Sequence, residues 1–287
     1  MEISAASQDY IRDLLETHTG QQITDERRWR ITTALAGIFR EYGISNVDQL
    51  VCLLTMPGQA QLAQRVVEAL LNNETYFFRD FPYFETLKNT VLPELRERRA
   101  DSRRLRVWSA GCSTGQEALS LAMIFSEQAE DWRDWTIEII GSDVSRKAIE
   151  TAKAATYSQF EIQRGISVAQ MLKFFSESEQ GWQADPKLRS MTQFHVANLL
   201  EAPGPALPYD IVLCRNVLLY FEAATRARAF ERIHHSLAAD GWLMLGAGET
   251  ALGQTSLFEP AQCGNALYRH SCEAVTRRRG TPRSKAA

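Results

Sequence analysis

The spacing of apolar residues divides the chain in two. Up to residue 71 every apolar stripe has a helical period. Residues 7–17 carry Tyr10, Ile11, Leu14 and Leu15, and a second pattern runs over 25–42 from a Thr24 cap to Gly43. Residues 47–54 stop before Pro57-Gly58, and 59–71 carry Leu62, Val66, Ala69 and Leu70 on one stripe. No strand pattern interrupts them, so residues 1–80 are expected to hold an all-helical N-terminal domain, too small to hold a nucleotide alone. Residues 81–104 predict a connecting helix with a mixed-charge end, Arg96 to Arg104. From Leu105 the pattern changes. Short apolar runs at 105–109, 136–142, 192–197, 209–214 and 241–247, with a last pair near 256–271, alternate with helical stretches at 115–130, 145–155, 166–176 and 222–238. Such alternation predicts an α/β fold with a doubly wound, mainly parallel sheet over 105–272. Asp240-Gly241 reads as the turn between the last long helix and its strand. Residues 273–287, with Arg277-Arg-Arg-Gly-Thr-Pro-Arg, read as a disordered basic tail.

The first strand leads into Ser109-Ala-Gly-Cys-Ser-Thr-Gly-Gln-Glu117 and then a helical run, the strand, Gly-rich turn and helix of a nucleotide-binding sheet. Gly111 and Gly115 are expected to let backbone approach a ligand, with free N–H groups at the helix start. The turn lacks the third glycine of the dinucleotide fingerprint and the Gly-Lys-Ser/Thr of the P-loop. Gly111-Cys-Ser113-Thr-Gly115 fits the G-x-S-x-G nucleophile elbow of α/β-hydrolases. That reading needs an acid and a histidine on later loops, whereas His234 and His235 lie in a helical pattern and His270 in an apolar alternation. A further reading uses Glu117 in the first helical turn and Asp143 at the end of the second strand, where a carboxylate can accept from ribose hydroxyls. A turn without a phosphate signature but with an acidic wall suits a nucleoside of positive character, such as S-adenosylmethionine (SAM).

Three other stretches carry polar residues where this architecture builds sites. Asn72 to Arg79 breaks the helical pattern, and on its own reads as a loop packed through Tyr76, Phe77 and Phe78. Asn198 follows the strand ending at Ala197, where an Asn also serves as a turn residue. Arg215 and Asn216 follow the apolar run ending at Cys214, a charged and polar pair at the carboxyl end of a strand. Gly246-Ala-Gly-Glu249 is assigned no chemistry.

With Ser109–Glu117, the stretches Asn73-Glu-Thr-Tyr-Phe-Phe-Arg79, Asn198-Leu199 and Cys214-Arg-Asn-Val-Leu-Leu-Tyr-Phe221 resemble, in order, the chemotaxis receptor methyltransferases, the CheR family. The resemblance spans roughly residues 7–271. It implies a Rossmann-like SAM-dependent methyltransferase domain at 105–272, with a small β-hairpin insertion near 176–197. It implies SAM as cofactor, S-adenosylhomocysteine (SAH) as product and no metal. By resemblance, cofactor-binding positions fall on Asn73, Thr75, Arg79, Gly111, Glu117, Asp143, Asn198 (through its amide, to adenine), Leu199, Arg215 and Asn216. Arg79 and Tyr220 are the catalytic positions, facing each other across the methyl group. The implied activity is methyl transfer to glutamate side chains on the cytoplasmic helices of chemoreceptors, giving glutamyl methyl esters for sensory adaptation. A SAM-binding signalling module without turnover is the main alternative, and a hydrolase using Ser113 the other.

Composition narrows this further. A net charge of −3 gives no electrostatic case for nucleic acid. The five cysteines form no C-x-x-C pair, which favours reduced thiols over a disulfide framework or zinc site. No apolar run reaches membrane-spanning length. The expectation is a cytoplasmic monomer without membrane insertion. The chain departs from part of the family in two places. Between Ser176 and Ala197 it is a few residues shorter than members whose hairpin adds a receptor C-terminal pentapeptide as an extra strand. In the second helix Ala34 and Gly37 interrupt the basic row that relatives carry, leaving Arg27, Arg28, Arg30 and Arg40. Direct receptor binding without a pentapeptide tether is therefore expected.

Overall fold

The computed structural model describes residues 4–201, 207–262, 266–272 and 274. The tail expected at 273–287 lies outside the described residues except for Ala274.

The helical signals of the first segment are realised locally. Ser4 caps α1 (Ala5–Thr19) by accepting from the Ser7 N–H, and Gly20 ends it at φ 77°. A 3₁₀ turn at Asp25–Arg27 precedes α2 (Trp29–Tyr42), so the helix expected from residue 25 is split, and Thr24 makes no capping bond. α3 (Val47–Leu54) is capped by Asn46, and α4 (Ala60–Leu70) follows. Their stripes meet in one core around Ile11, Leu15, Leu35, Leu50 and Val66. α5 (Phe81–Thr86) widens into a π-helical turn at Leu87–Val91 before α6 (Leu92–Arg98). Pro93 has no N–H for the Asn89 carbonyl and its ring crowds it, which accounts for the wider turn just before it. The connecting helix thus ends at Arg98, short of the expected 104. Arg99 then forks onto Asp240 at 2.6 and 2.9 Å and reaches Asp210 at 2.7 Å, tying the connector to the sheet.

The strands in chain order are β1 (Arg104–Ala110), β2 (Thr136–Asp143), β3 (Thr156–Tyr157), β4 (Phe175–Ser178), β5 (Gly181–Ala184), β6 (Thr192–Val196), β7 (Tyr209–Cys214), β8 (Leu237–Leu245), β9 (Phe258–Pro260) and β10 (Leu267–His270). Seven form one sheet in the order β6-β2-β1-β7-β8-β10-β9. The first five are parallel, and β10 runs antiparallel to both its neighbours. Connections are made by α7 (Gln116–Glu127), α8 (Arg146–Ala154), α9 (Gln159–Ile162), α10 (Val168–Phe174), α11 (Pro186–Ser190) and α12 (Ala223–Ser236). Ile211 and Leu213 of β7 pack into a core with Leu119 and Met123 of α7. Val212 and Cys214 pack into another with Phe230 and Ile233 of α12. Cover on both faces is why these strands read as unbroken apolar runs.

Two expectations are corrected. The small β element is an antiparallel sheet, β3-β5-β4, so it begins at Thr156 and ends at Ala184, while 192–196 forms the edge of the main sheet. Gly181 (φ 129°) lies so close to Tyr157 that a Cβ would stand 2.5 Å from its carbonyl oxygen. Asp240-Gly241 lies inside β8 at a register shift: Tyr209 pairs with Leu237, but Ile211 pairs with Trp242. Extra residues on one strand of a pair make a bulge, and a Cβ on Gly241 would meet the Asp210 carbonyl oxygen at 3.0 Å. Among the described residues no helix is long and apolar enough to cross a membrane.

Candidate active site

The chain order reverses at β1: β2 and β6 build out to one side, β7 and β8 to the other. An open α/β sheet has its ligand crevice at such a switch point, beyond the carboxyl ends of the strands. A cleft of about 850 Å³ lies there. All eleven cofactor-binding and catalytic positions implied by the resemblance line it.

The floor is the turn after β1. Gly111 sits at φ 79°, and a Cβ there would stand 2.3 Å from Val217 Cγ2. Gly115, at φ 94°, packs against Ala152 and Phe194 and does not line the cleft. Gly115 thus answers to backbone geometry and the chain's own packing, which corrects the expectation that it makes room for a ligand, whereas Gly111 lines the cleft. Ser113 holds a left-handed φ of 49°, donates its hydroxyl to the Asn73 carbonyl (2.6 Å) and its N–H to Asp143 Oδ2 (2.9 Å). No histidine lines the cleft, so Ser113 has no base beside it and the hydrolase reading lacks its triad.

Asp143 ends β2 and is 9% exposed. Its other oxygen accepts from the Ser145 N–H at 2.9 Å. Burial pushes its pKa up; the two backbone bonds oppose that, and nearby Glu68 adds to it. Glu68, on α4, accepts from Ser145 Oγ and the Arg146 N–H, both at 2.6 Å, and so closes the start of α8 from a different segment. Asn73 donates to Ser145 Oγ at 3.2 Å.

Glu117 accepts from Ser109 Oγ at 2.7 Å and from Arg215 Nη1 at 3.0 Å. The Arg215 side chain, 2% exposed, also donates to Asp80 at 2.8 Å and to the Arg79 carbonyl, and its guanidinium lies over the Phe84 ring. It is a buried cation between two carboxylates, and its Nε has no hydrogen-bond partner among the described residues. Asn216, at φ 60°, has a buried Oδ1 that accepts no hydrogen bond among the described residues.

The Asn198 amide, expected to face adenine, is engaged within the chain. Its oxygen accepts from the Leu200 N–H at 2.9 Å, and its nitrogen donates to the His18 carbonyl at 3.1 Å. Leu199 beside it is buried. Arg79 donates to the Glu74 carbonyl (3.2 Å) and lies over Tyr76; Thr75 is on the same stretch. The Tyr220 hydroxyl, also in the lining, accepts from Asn72 Nδ2 at 2.7 Å. The sequence reading missed Thr19 and Gln21, which bring the helical segment into the wall, and Gln21 bridges to Phe221. It also missed Glu68 and Asp80, for which no local pattern gave a signal.

A sulfonium nucleoside needs acceptors for its ribose hydroxyls and a negative surround. The cleft supplies both, in Asp143, Glu117 and the unpaired Asn216 Oδ1, so the residues fit SAM. Among the described residues no group of three or more His, Cys, Asp or Glu is placed to hold a metal ion.

Residues 73–267 match the family described as CheR methyltransferase, SAM binding domain. The chain is 33% identical over 263 residues to Chemotaxis protein methyltransferase Cher2 of Pseudomonas putida, covering 90% of this chain and 95% of that one. It is 33% identical over 274 residues to Chemotaxis protein methyltransferase 1 of Pseudomonas aeruginosa (93% and 99%). A chemotaxis protein methyltransferase of Vibrio parahaemolyticus is 28% identical over 271 residues (92% and 97%). With a SAM-compatible cleft at the switch point of a methyltransferase-type sheet, this chain belongs to the CheR family of SAM-dependent methyltransferases.

Proposed function

We propose that this protein methylates glutamate side chains on the cytoplasmic helices of chemoreceptors, forming glutamyl methyl esters. The observation that carries this reading is the pairing of Arg79 and Tyr220 in one cleft with Asp143 and Glu117. A glutamate acceptor is ionised at neutral pH, with a reference pKa of about 4.3, so no general base is needed. Bound SAM supplies an electrophilic methyl group on a sulfonium. Arg79 orients the incoming carboxylate through its N–H fork, and Tyr220 donates a hydrogen bond and shapes the opposite wall. Asp143 receives the ribose hydroxyls. Arg215 acts through Glu117, Asp80 and the Arg79 carbonyl. The acceptor's charge is lost as methyl transfers, so alignment rather than tight anion binding is the main source of rate.

Incubation with tritiated SAM and receptor-bearing membranes tests the reading. Label should enter the receptor and leave as methanol in mild alkali. Alkali-stable label would mean N-methylation, and absence of transfer would favour a signalling module without turnover.

Asp143→Ala should weaken SAH binding by about 1–3 kcal/mol in calorimetry, the scale for hydrogen bonds to a charged group. Because its pKa is raised, acid should begin to weaken wild-type binding at a pH above 3.8, its ordinary value, and Asp143→Asn should flatten that dependence. Unchanged affinity in the alanine variant would remove Asp143 from the ribose site.

We infer further that the protein works as a cytoplasmic monomer and docks on receptors without a C-terminal pentapeptide. β4 is an edge strand of four residues joined to β5 by the two-residue turn Glu179-Gln180, which leaves little edge to pair. Titration with a tether pentapeptide should show no low-micromolar binding. We infer the same division into a helical part (1–80), a connector (81–104) and a methyltransferase part (105–272).

A further inference from the structure

The loop from Arg215 to Phe221 carries one wall of the cleft, and two charged side chains hold it from behind. Glu249 follows β8 and is absent from the cleft lining. Its Oε2 accepts the N–H groups of Asn216 (2.7 Å) and Gly246 (2.9 Å), and its Oε1 those of Val217 (2.9 Å) and Leu219 (3.2 Å). Gly246 makes room for it: a Cβ there would stand 2.8 Å from Glu249 Oε2 and 2.9 Å from the Asn216 nitrogen. On the other side Arg226, in the first turn of α12, donates to the carbonyls of Leu218 (3.2 Å) and Phe221 (2.8 Å). Gln254 accepts from the same guanidinium at 2.8 Å. Between them lies a single 3₁₀ turn, Leu218–Tyr220. An anion therefore holds N–H groups of the loop 215–221 and a cation holds its carbonyls. Asn216 holds a left-handed φ of 60°, a state that Asn adopts more readily than most residues.

We propose that Glu249 is a positioning residue for methyl transfer. With Arg226 it fixes the backbone of 216–220, and so the places of Asn216 and the Tyr220 hydroxyl. It touches neither cofactor nor acceptor. The chemistry requires a carboxylate: it accepts on both oxygens, whereas the isosteric amide turns an NH₂ group toward N–H donors. The proposal rests on the methyltransferase reading with Tyr220 on the methyl side.

The test uses the full chain with Glu249→Gln, alone and with Tyr220→Phe. Amide hydrogen exchange should speed up about tenfold or more at Asn216, Val217 and Leu219, while α12 keeps its protection. Turnover should fall about tenfold or more, the scale of a sub-ångström to ångström misplacement, with SAH affinity changed less. In the Tyr220→Phe background the same change should cost clearly less, because the part of its effect that runs through the Tyr220 hydroxyl is already lost. Unchanged exchange at the three amides, or an equal loss in both backgrounds, overturns the proposal. Should Glu249→Gln fail to fold, Arg226→Met loosens the turn from the carbonyl side and is judged by the exchange of Tyr220 and Phe221 and by the same cycle. A wild-type protein that transfers no methyl group to receptors would overturn the functional reading, and amide exchange would still decide for or against the clamp.

Discussion

Arg79→Ala should lower kcat for receptor methylation by on the order of a hundredfold, about 2.7 kcal/mol, while SAH affinity falls less than about tenfold. The residue lines the cleft together with Tyr220 and donates to the Glu74 carbonyl in its own stretch. Turning its guanidinium to an incoming carboxylate gives up that bond and gains a paired one. Methyl transfer joins an anion to a cation-bound methyl and leaves two neutral products, so strong fixed charge would favour the reactants. The loss expected from the alanine is one of orientation. Arg79→Lys should recover little of it, because a point charge does not present a planar fork. A matching loss in SAH affinity would place Arg79 in cofactor binding instead.

Arg215→Met should lower the free energy of unfolding by about 3–5 kcal/mol, a large part of the 5–15 kcal/mol usual for a domain. Removing the guanidinium leaves Glu117 and Asp80 without their common cation at a site where the Arg215 side chain is 2% exposed. Ser109 Oγ still donates to Glu117, which covers part of its need. Adding Glu117→Gln and Asp80→Asn to Arg215→Met should return part of the stability, since no unpaired charge then remains. Denaturant unfolding of the three proteins checks this. A loss under about 1 kcal/mol for Arg215→Met would show that water reaches the cluster and screens it.

The framework was legible because the central strands are covered on both faces. Val107, Ile139, Ile211 and Leu213 had to be apolar whichever way they pointed, and unbroken runs resulted. Asp143 and Glu117 were legible by position, at a strand end and a helix start. The small sheet was not: Thr156-Tyr157 is two residues long, and the exposed residues of β4 show no alternation. Gly111 carries a second constraint the sequence did not show, because the side chain that excludes a Cβ there belongs to Val217, over a hundred residues on. The bond from the Asn198 amide to the His18 carbonyl was not legible, because its partner is far away in the sequence. Glu249 sat in a stretch that drew attention, but four N–H groups converging on one carboxylate leave no spacing to detect.

The ties between the helical segment and the sheet have a thermodynamic consequence. Glu68 on the start of α8, Gln21 on Phe221 and Asn198 on His18 all lie at or beside the rim of the cleft. The core of α1 to α4 is distinct from the two cores that flank the sheet. A ligand that needs both sides of the rim binds only while the two parts are docked. Such a ligand stabilises the docked, folded chain by about 2.7 kcal/mol at a concentration a hundred times Kd. Cofactor binding at this rim thus adds to the ties between the helical segment and the sheet, and the cell's supply of SAM becomes a term in the protein's own stability.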